Sequence, residues 1–364
     1  MRTPTIVLSL SLTSALSLTA CGSSSSSPSA ASGGPTASSG ATAQDVGSKP
    51  TVGVGYFQSA TTGPEVIVAG NQDLASQVGG TLKLTPIDSG VAGLAELRSG
   101  AFPFVSGVGN PPIVGAIAND TKLKVIYAEY YDAAQLVVPP SITQDAQLAG
   151  KTVGALQGSS EDFEIRGWLQ SKGLTGSVKV VGFPSEAAIA AAYKAGRVDA
   201  AYVEIAQALD LKKSKGARQV VTAEEIAKLG YPSLNVLAVT DDFAAKHRPV
   251  VQSFVCQVMR AQAKATSPDA DSYITNAGKL VGATPEQAIP ATKIIPFVPA
   301  NEQLTWLAGT SGNVADSQIA KAYALTGAFL KEQGRVDTVP STEQIAAHLD
   351  ASYVKQALAD GCGR

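Results

Sequence analysis

The chain has 364 residues, 45% of them hydrophobic and 16% charged, with a net charge of −2, an ordinary composition for a soluble globular protein. No basic face or charge run argues for nucleic acid. Only two histidines, His247 and His348, far apart in sequence, and three cysteines are present; no Cys/His cluster exists for zinc, and a Ser/His/Asp site is poorly supported.

The first element is a leader. Arg2 supplies a positive start, and Ile6 to Ala20 form an apolar stretch too short and wrongly flanked for a transmembrane helix. The string Leu18-Thr19-Ala20-Cys21 resembles a bacterial lipobox. That resemblance implies a lipoprotein signal peptide over 1–20 and a lipidated Cys21 as first residue of the mature protein. Each buried CH₂ of an acyl chain contributes about 0.8 kcal/mol, so two chains, palmitate among them, anchor a protein without a spanning helix. The alternative is an ordinary secreted protein in which Cys21 is incidental. Residues 21–49 then read as a disordered Ser/Gly/Ala linker, which has nothing to bury and reaches roughly 30 Å.

The remaining residues, about 315, suffice for two lobes. Thr51 to Tyr56 reads as a strand, Pro64 to Gln77 as helical, Thr81 to Pro86 as a strand and Ala92 to Ser99 as a helix ending at Gly100. Pro103 to Gly107 is a strand and Pro112 to Ala118 a short helix; Leu123 to Ala128 and Ala134 to Val138 are β-branched apolar runs. The grammar then restarts. Thr152 to Leu156, Val178 to Val181 and Val198 to Val203 read as strands, alternating with helices over Ser160 to Lys172, Ser185 to Ala195 and Leu209 to Ser214. A strand returns at Leu234 to Val239, and from Asp241 onward the pattern is almost wholly helical, with breaks at Pro268, Gly282, Pro296 and Pro340. Such alternation predicts an α/β protein with mostly parallel sheets and helices on both faces. Two such units joined by two crossings make a hinged, two-lobe molecule with a helical tail. Lobe 1 is expected over 50–138 plus 236–364 and lobe 2 over 139–235, with hinges near Val138 and Tyr231 to Asn235. Sites in such folds lie at the carboxyl ends of strands and between domains. Beyond Cys21, Cys256 and Cys362 make an even pair that suits one disulfide in an oxidising setting, with two free thiols as the alternative.

Several strings in order resemble one family. They are Val54-Gly55-Tyr56 with its Gln/Ser loop, Asp88-Ser89-Gly90, Leu94 to Gly100, Gly150 to Gly154, Ala191 to Val203, Asp242 to His247 and Phe329 to Val336. No single string is specific, but their order over residues 51 to about 357 is similar to that of ABC-transporter substrate-binding lipoproteins of the taurine/aliphatic-sulfonate branch of the nitrate/sulfonate/pyrimidine group. The resemblance implies a periplasmic-binding-protein-like (type II) fold. It implies a non-catalytic monomer that captures a small ligand between its lobes and delivers it to a permease and ATPase. The protein would be lipid-anchored on the extracytoplasmic face of the membrane, with no cofactor and no metal. A related pyrimidine-synthesis enzyme branch is the second class weighed, and the nearly histidine-free cleft and the lipobox argue against it.

Three loops are expected to face the ligand: Phe57, Gln58 and Ser59; Gly109 and Asn110; and Gln157, Ser159 and Ser160. Glycines let the backbone come close, and Asn110 offers an amide. Ser159-Ser160 at a helix start forms an anion seat or serves as that helix's own N-cap. Glu129, Glu161 and Glu204 depart from the sulfonate pattern, as do Asn110 and Pro111. Converging carboxylates repel an isolated anion and favour an ammonium, an amidine or a donor-rich group, unless each is only a rim charge. Tyr202, with Tyr127, Tyr130, Tyr131 and Trp168, offers either stacking or core packing. Taurine-like amino-sulfonates lead on this reading, and an amino-pyrimidine or other nitrogenous ligand is the alternative.

Overall fold

The computed structural model describes residues 49–363. The expected signal peptide at 1–20, the lipidation site Cys21 and almost all of the 21–49 linker lie outside the described residues.

Two five-stranded sheets organise the chain. In lobe 1, β1 (Thr51–Phe57), β2 (Thr81–Ile87), β3 (Phe104–Val108), β4 (Leu123–Tyr131) and β10 (Leu234–Thr240) run in the order β2-β1-β3-β10-β4. In lobe 2, β5 (Gln135–Val138), β6 (Thr152–Leu156), β7 (Lys179–Phe183), β8 (Ala200–Val203) and β9 (Arg218–Thr222) run in the order β7-β6-β8-β5-β9. Each sheet has one strand antiparallel to its neighbours, β10 in lobe 1 and β5 in lobe 2, and these lie next to the crossings between lobes. The rest run parallel, which requires crossover connections, and the inner strands β1, β3, β6 and β8 are buried on both faces while the outer β2, β7 and β9 are partly exposed. The helices are α1 (Pro64–Gly70), α2 (Gln72–Ala75), α3 (Gly90–Ser99) and α4 (Asn110–Ala118) in lobe 1. In lobe 2 they are α5 (Ser160–Ser171), α6 (Glu186–Lys194), α7 (Ile205–Lys215) and α8 (Ala223–Lys228).

The boundaries differ from the expected ones by a few residues. Gln135–Val138 pairs with β8 and β9, so the first crossing falls at 132–134 instead of after residue 138. The second falls at 229–233, because β10 already begins at Leu234. Polar pairing explains the shift: a strand joins whichever sheet satisfies its backbone, and apolar patterning does not say which.

The tail carries α9 (Asp241–Lys246), α10 (Arg248–Ala265), α11 (Ala270–Leu280), α12 (Pro285–Lys293), α13 (Gln303–Leu307), α14 (Gln318–Glu332), α15 (Thr342–Ala347) and α16 (Ser352–Ala359). It is part of lobe 1, since Phe254, Leu307, Tyr323 and Tyr353 share one buried core with Val54, Phe104 and Tyr127. A disulfide joins Cys256 of α10 to Cys362, closing the pairing that the sequence left open. The tail also reaches lobe 2. Phe329 of α14 meets Phe163 of α5 edge-on at 5.1 Å between ring centres, and Arg335 Nη2 lies 2.6 Å from Asp162 Oδ2. Asp162 is buried and also takes Arg166 Nε at 2.6 Å. Among the described residues, no helix is long and apolar enough to cross a membrane.

Candidate ligand-binding cleft

The parallel strands of both lobes end on a common cavity of about 220 Å³. Lobe 1 contributes Phe57 at the end of β1, Gln58 and Ser59 after it, Asp88 after β2, Gly107 and Gly109 at and beyond the end of β3, and Tyr130 at the end of β4. Lobe 2 contributes Ser159, Ser160 and Glu161 after β6, Ser185 and Glu186 after β7, and Glu204 after β8. Asp132 lines it from the first crossing and Asn235 from the start of β10. This is where open α/β sheets place ligands, because strand ends release the chain into loops and helix starts there.

Gly109 shows how near the lobes come. A Cβ built on it would lie 1.8 Å from Ser160 Oγ of the opposite lobe. At Gly107, φ of +72° is a left-handed conformation that glycine adopts without strain, and it aims the backbone amide at Glu129.

Among the described residues, the cavity wall carries six acidic ones, Glu65, Asp88, Asp132, Glu161, Glu186 and Glu204, and no lysine, arginine or histidine. One carboxylate oxygen each from Asp132, Glu161 and Glu204 lies within 4.8 Å of the others. Asp132 and Glu161 are buried. Burial pushes the carboxyls of Asp132, Glu161 and Glu204 above the usual range, and for Glu161 and Glu204 the neighbouring acids push further. Glu186 rises to about 8, also chiefly through burial, and its Oε2 accepts the Glu204 amide at 3.0 Å. Its Oε1, like Gln207 Oε1 and Thr61 Oγ1 on the same wall, is buried without a hydrogen-bond partner. Unpaired buried acceptors are costly, and a ligand bearing donors removes that cost.

At the expected anion seat, Ser159 takes the N-cap role. Ser159 caps α5, accepting the Glu161 amide at 3.1 Å, and its hydroxyl contacts the Glu161 carboxylate. The adjacent Gly158 amide goes to Asp162 Oδ2 at 3.1 Å. The Glu161 amide at the start of α5 is thus taken by the Ser159 hydroxyl, and Asp162 draws in the Gly158 amide just before the helix.

Of the residues singled out from sequence, Phe57, Gln58, Ser59, Gly109, Ser159, Ser160, Glu161 and Glu204 line the cavity. Four stand elsewhere. Asn110 is fully buried, donates to Pro232 O at 2.9 Å and accepts from the Leu234 amide at 3.2 Å, so it ties α4 to the second crossing. Gln157 faces a separate groove beside Arg335. Tyr202 lies in the lobe 2 core and donates to Glu164 Oε2 at 2.8 Å. Glu129 stands behind the wall, bound to Ser106 and Gly107. Of the other aromatics, Tyr130 alone lines the cavity; Trp168 and Tyr127 are core, and Tyr131 donates to Glu302. The sequence reading overlooks Glu65, Asp132 and Glu186, and has Asp88 only within a family string. Glu65 and Glu186 sit in helix first turns, where an acid is ordinary dipole chemistry, and Asp132 gains meaning only from the crossing that follows it.

Comparison with known proteins follows the same lines. A profile of the NMT1-like family matches residues 45–277. The chain is 28% identical over 297 residues to the taurine-binding periplasmic protein of Escherichia coli (strain K12), covering 79% of this chain and 88% of that one. Among solved structures, the alkanesulfonate-binding protein SsuA from Xanthomonas axonopodis pv. citri, bound to MOPS, superposes with a TM-score of 0.65 at 18% identity, over 84% of this chain and 100% of SsuA. The desulfurization enzyme DSZB superposes with a TM-score of 0.55 at 16% identity, over 85% of this chain and 99% of that one. The two-lobe α/β architecture is thus shared by binding proteins and by an enzyme.

Proposed function

Since the chain belongs to the NMT1-like family, we propose that it is the solute-binding component of an ABC importer, a non-catalytic protein that closes two lobes on a small ligand with a cationic or donor-rich nitrogen head. The observation that carries this reading is the cavity wall, with six carboxyl groups and no basic side chain. The head sits at Asp132, Glu161 and Glu204, where charge-assisted hydrogen bonds replace the repulsion among the three acids. Taurine, in the name of the E. coli relative, has such a head in its ammonium group. A flat amino-pyrimidine is the second reading, favoured by Tyr130 and Phe57 beside the same acids. The protein acts as a monomer, tethered outside the membrane through lipidated Cys21, and hands its ligand to a permease served by an ATPase.

Thermal unfolding of the mature chain against taurine, alkyl-sulfonates, amino acids, polyamines and pyrimidines tests the reading. A ligand at 100 times its Kd stabilises by about 2.7 kcal/mol, a shift of several degrees. Amine-bearing compounds should produce it, and Glu161→Gln should abolish it. A shift with alkyl-sulfonates that lack an amine, and none with cations, would overturn the reading.

A further inference from the structure

Cation recognition does not account for one contact in the lobe 1 wall. Ser106 is fully buried, and its Oγ lies 2.8 Å from Glu65 Oε2 and 2.5 Å from Glu129 Oε1. A serine hydroxyl has one proton to donate and lone pairs with which to accept. It can donate to one of these carboxylates; the second contact closes only when that carboxyl carries a proton and donates to Oγ. The far oxygen of Glu129 takes the Gly107 amide at 2.6 Å. Both carboxyls are buried, and none of the ion pairs among the described residues includes either.

We infer that Glu65 and Glu129 share one proton through Ser106 in the ligand-free protein, and that a cationic ligand is captured in exchange for it. The second half rests on the reading of the cleft as a cation site. The proton leaves the carboxyl for solvent as the ligand's positive charge arrives, so the charge inside the cleft is conserved. Glu65, Ser106 and Gly107 line the cavity, so the pair is within the ligand's field. Burial pushes Glu65 up to about 7 and, with the charge of Glu65 adding to it, Glu129 to about 8. The titratable groups that feel the pair are Tyr56 on β1 and Tyr127 and Tyr130 on β4, all pushed up chiefly by burial, and Tyr130 also feels Asp132 and Glu204. The charged groups of the packed helices are engaged elsewhere: Asp73 of α2 accepts from Tyr273, Arg248 of α10 faces Ser352 and Asp350, Arg260 of α10 binds Gln77, Lys264 of α10 covers the Tyr273 ring, Asp271 of α11 pairs with Lys293 of α12, and Lys279 of α11 donates to Asn276.

Proton and cation then compete, and linkage fixes the sign. Below the titration of the pair, the association constant rises up to about tenfold per pH unit, and it levels off above. The test is infrared spectroscopy of the ligand-free full chain at pH 7, comparing wild type with Glu129→Gln. The carbonyl band of protonated carboxyl groups should lose the intensity of one group in the variant. Should that variant fail to fold, Ser106→Ala should shift the same band by removing its hydrogen-bond partner. A band unchanged by both substitutions overturns the shared proton. Calorimetric titration with the monocations ethanolammonium and guanidinium, in two buffers of different protonation enthalpy, counts protons released. About one proton per bound cation is expected, and binding with none overturns the exchange. If neither probe binds while the band responds, the cation reading of the cleft falls and with it the exchange, whereas the proton site stands.

Discussion

Gly109 and Ser160 belong to different lobes and touch with no room for a methyl group between them. Gly109 has φ −82° and ψ −177°, extended backbone open to any residue, so alanine there brings steric overlap without backbone strain. Gly109→Ala should wedge the lobes apart and weaken capture about tenfold or more, a cost of about 1.4 kcal/mol for each tenfold. The ligand-free melting temperature should barely move. Titration calorimetry reads the affinity and small-angle scattering the gap, and Ser160→Gly in the same chain should restore part of both. At this scale the sequence is informative where a residue's role is local. Ser159 and Glu161 stand at a recognisable helix start, and both line the cavity. Asn110 looks the same on paper, yet its amide is used up by Pro232 and Leu234, residues more than a hundred positions away. A side chain's partner across such a distance has no linear signature.

Among elements, those with a strong internal period were legible. β1, β3, β6 and β10 are apolar runs buried on both sides, and their positions follow from the sequence within a residue or two. β9 and α8 were not. β9 is short, half-exposed and paired only with β5, so its strand identity comes from that neighbour and not from Arg218-Gln219-Val220-Val221-Thr222 itself. The disulfide between α10 and the segment after α16 spans 106 positions and lies in the part of lobe 1 remote from the cavity. Its reduction should lower stability by about 2–5 kcal/mol through the freed loop, while leaving ligand affinity unchanged. Melting curves and titrations with and without dithiothreitol check both halves. A loss of affinity in step with stability would mean that the staple also shapes the cleft.

For the whole molecule, the buried acids set an unusual pH dependence. Burial pushes Glu65, Glu129 and Glu186 up to about 7, 8 and 8 in the folded chain, from an ordinary 4.5. Between those values the folded state holds more protons than the unfolded one, so stability falls as pH rises. The ligand-free protein should therefore be most stable near pH 5 and lose stability progressively to about pH 8, as a series of melting temperatures would show. Bound cation should flatten that slope by supplying the charge that the protons leave behind. The two-lobe plan and its cleft were legible from the alternation of strands and helices; the accumulation of acid in the cleft was not, because its members come from six separate loops and helix starts. The contacts of Phe329 and Arg335 with α5 concern the lobes differently. Both lie outside the cavity wall, so they hold any occupant alike. Any motion that parts α5 from the tail must break them, and Arg335→Ala should accordingly raise the dissociation rate of every ligand by one common factor in stopped-flow measurements. Choice of solute and dwell time are then written in separate residues, and each can drift without disturbing the other.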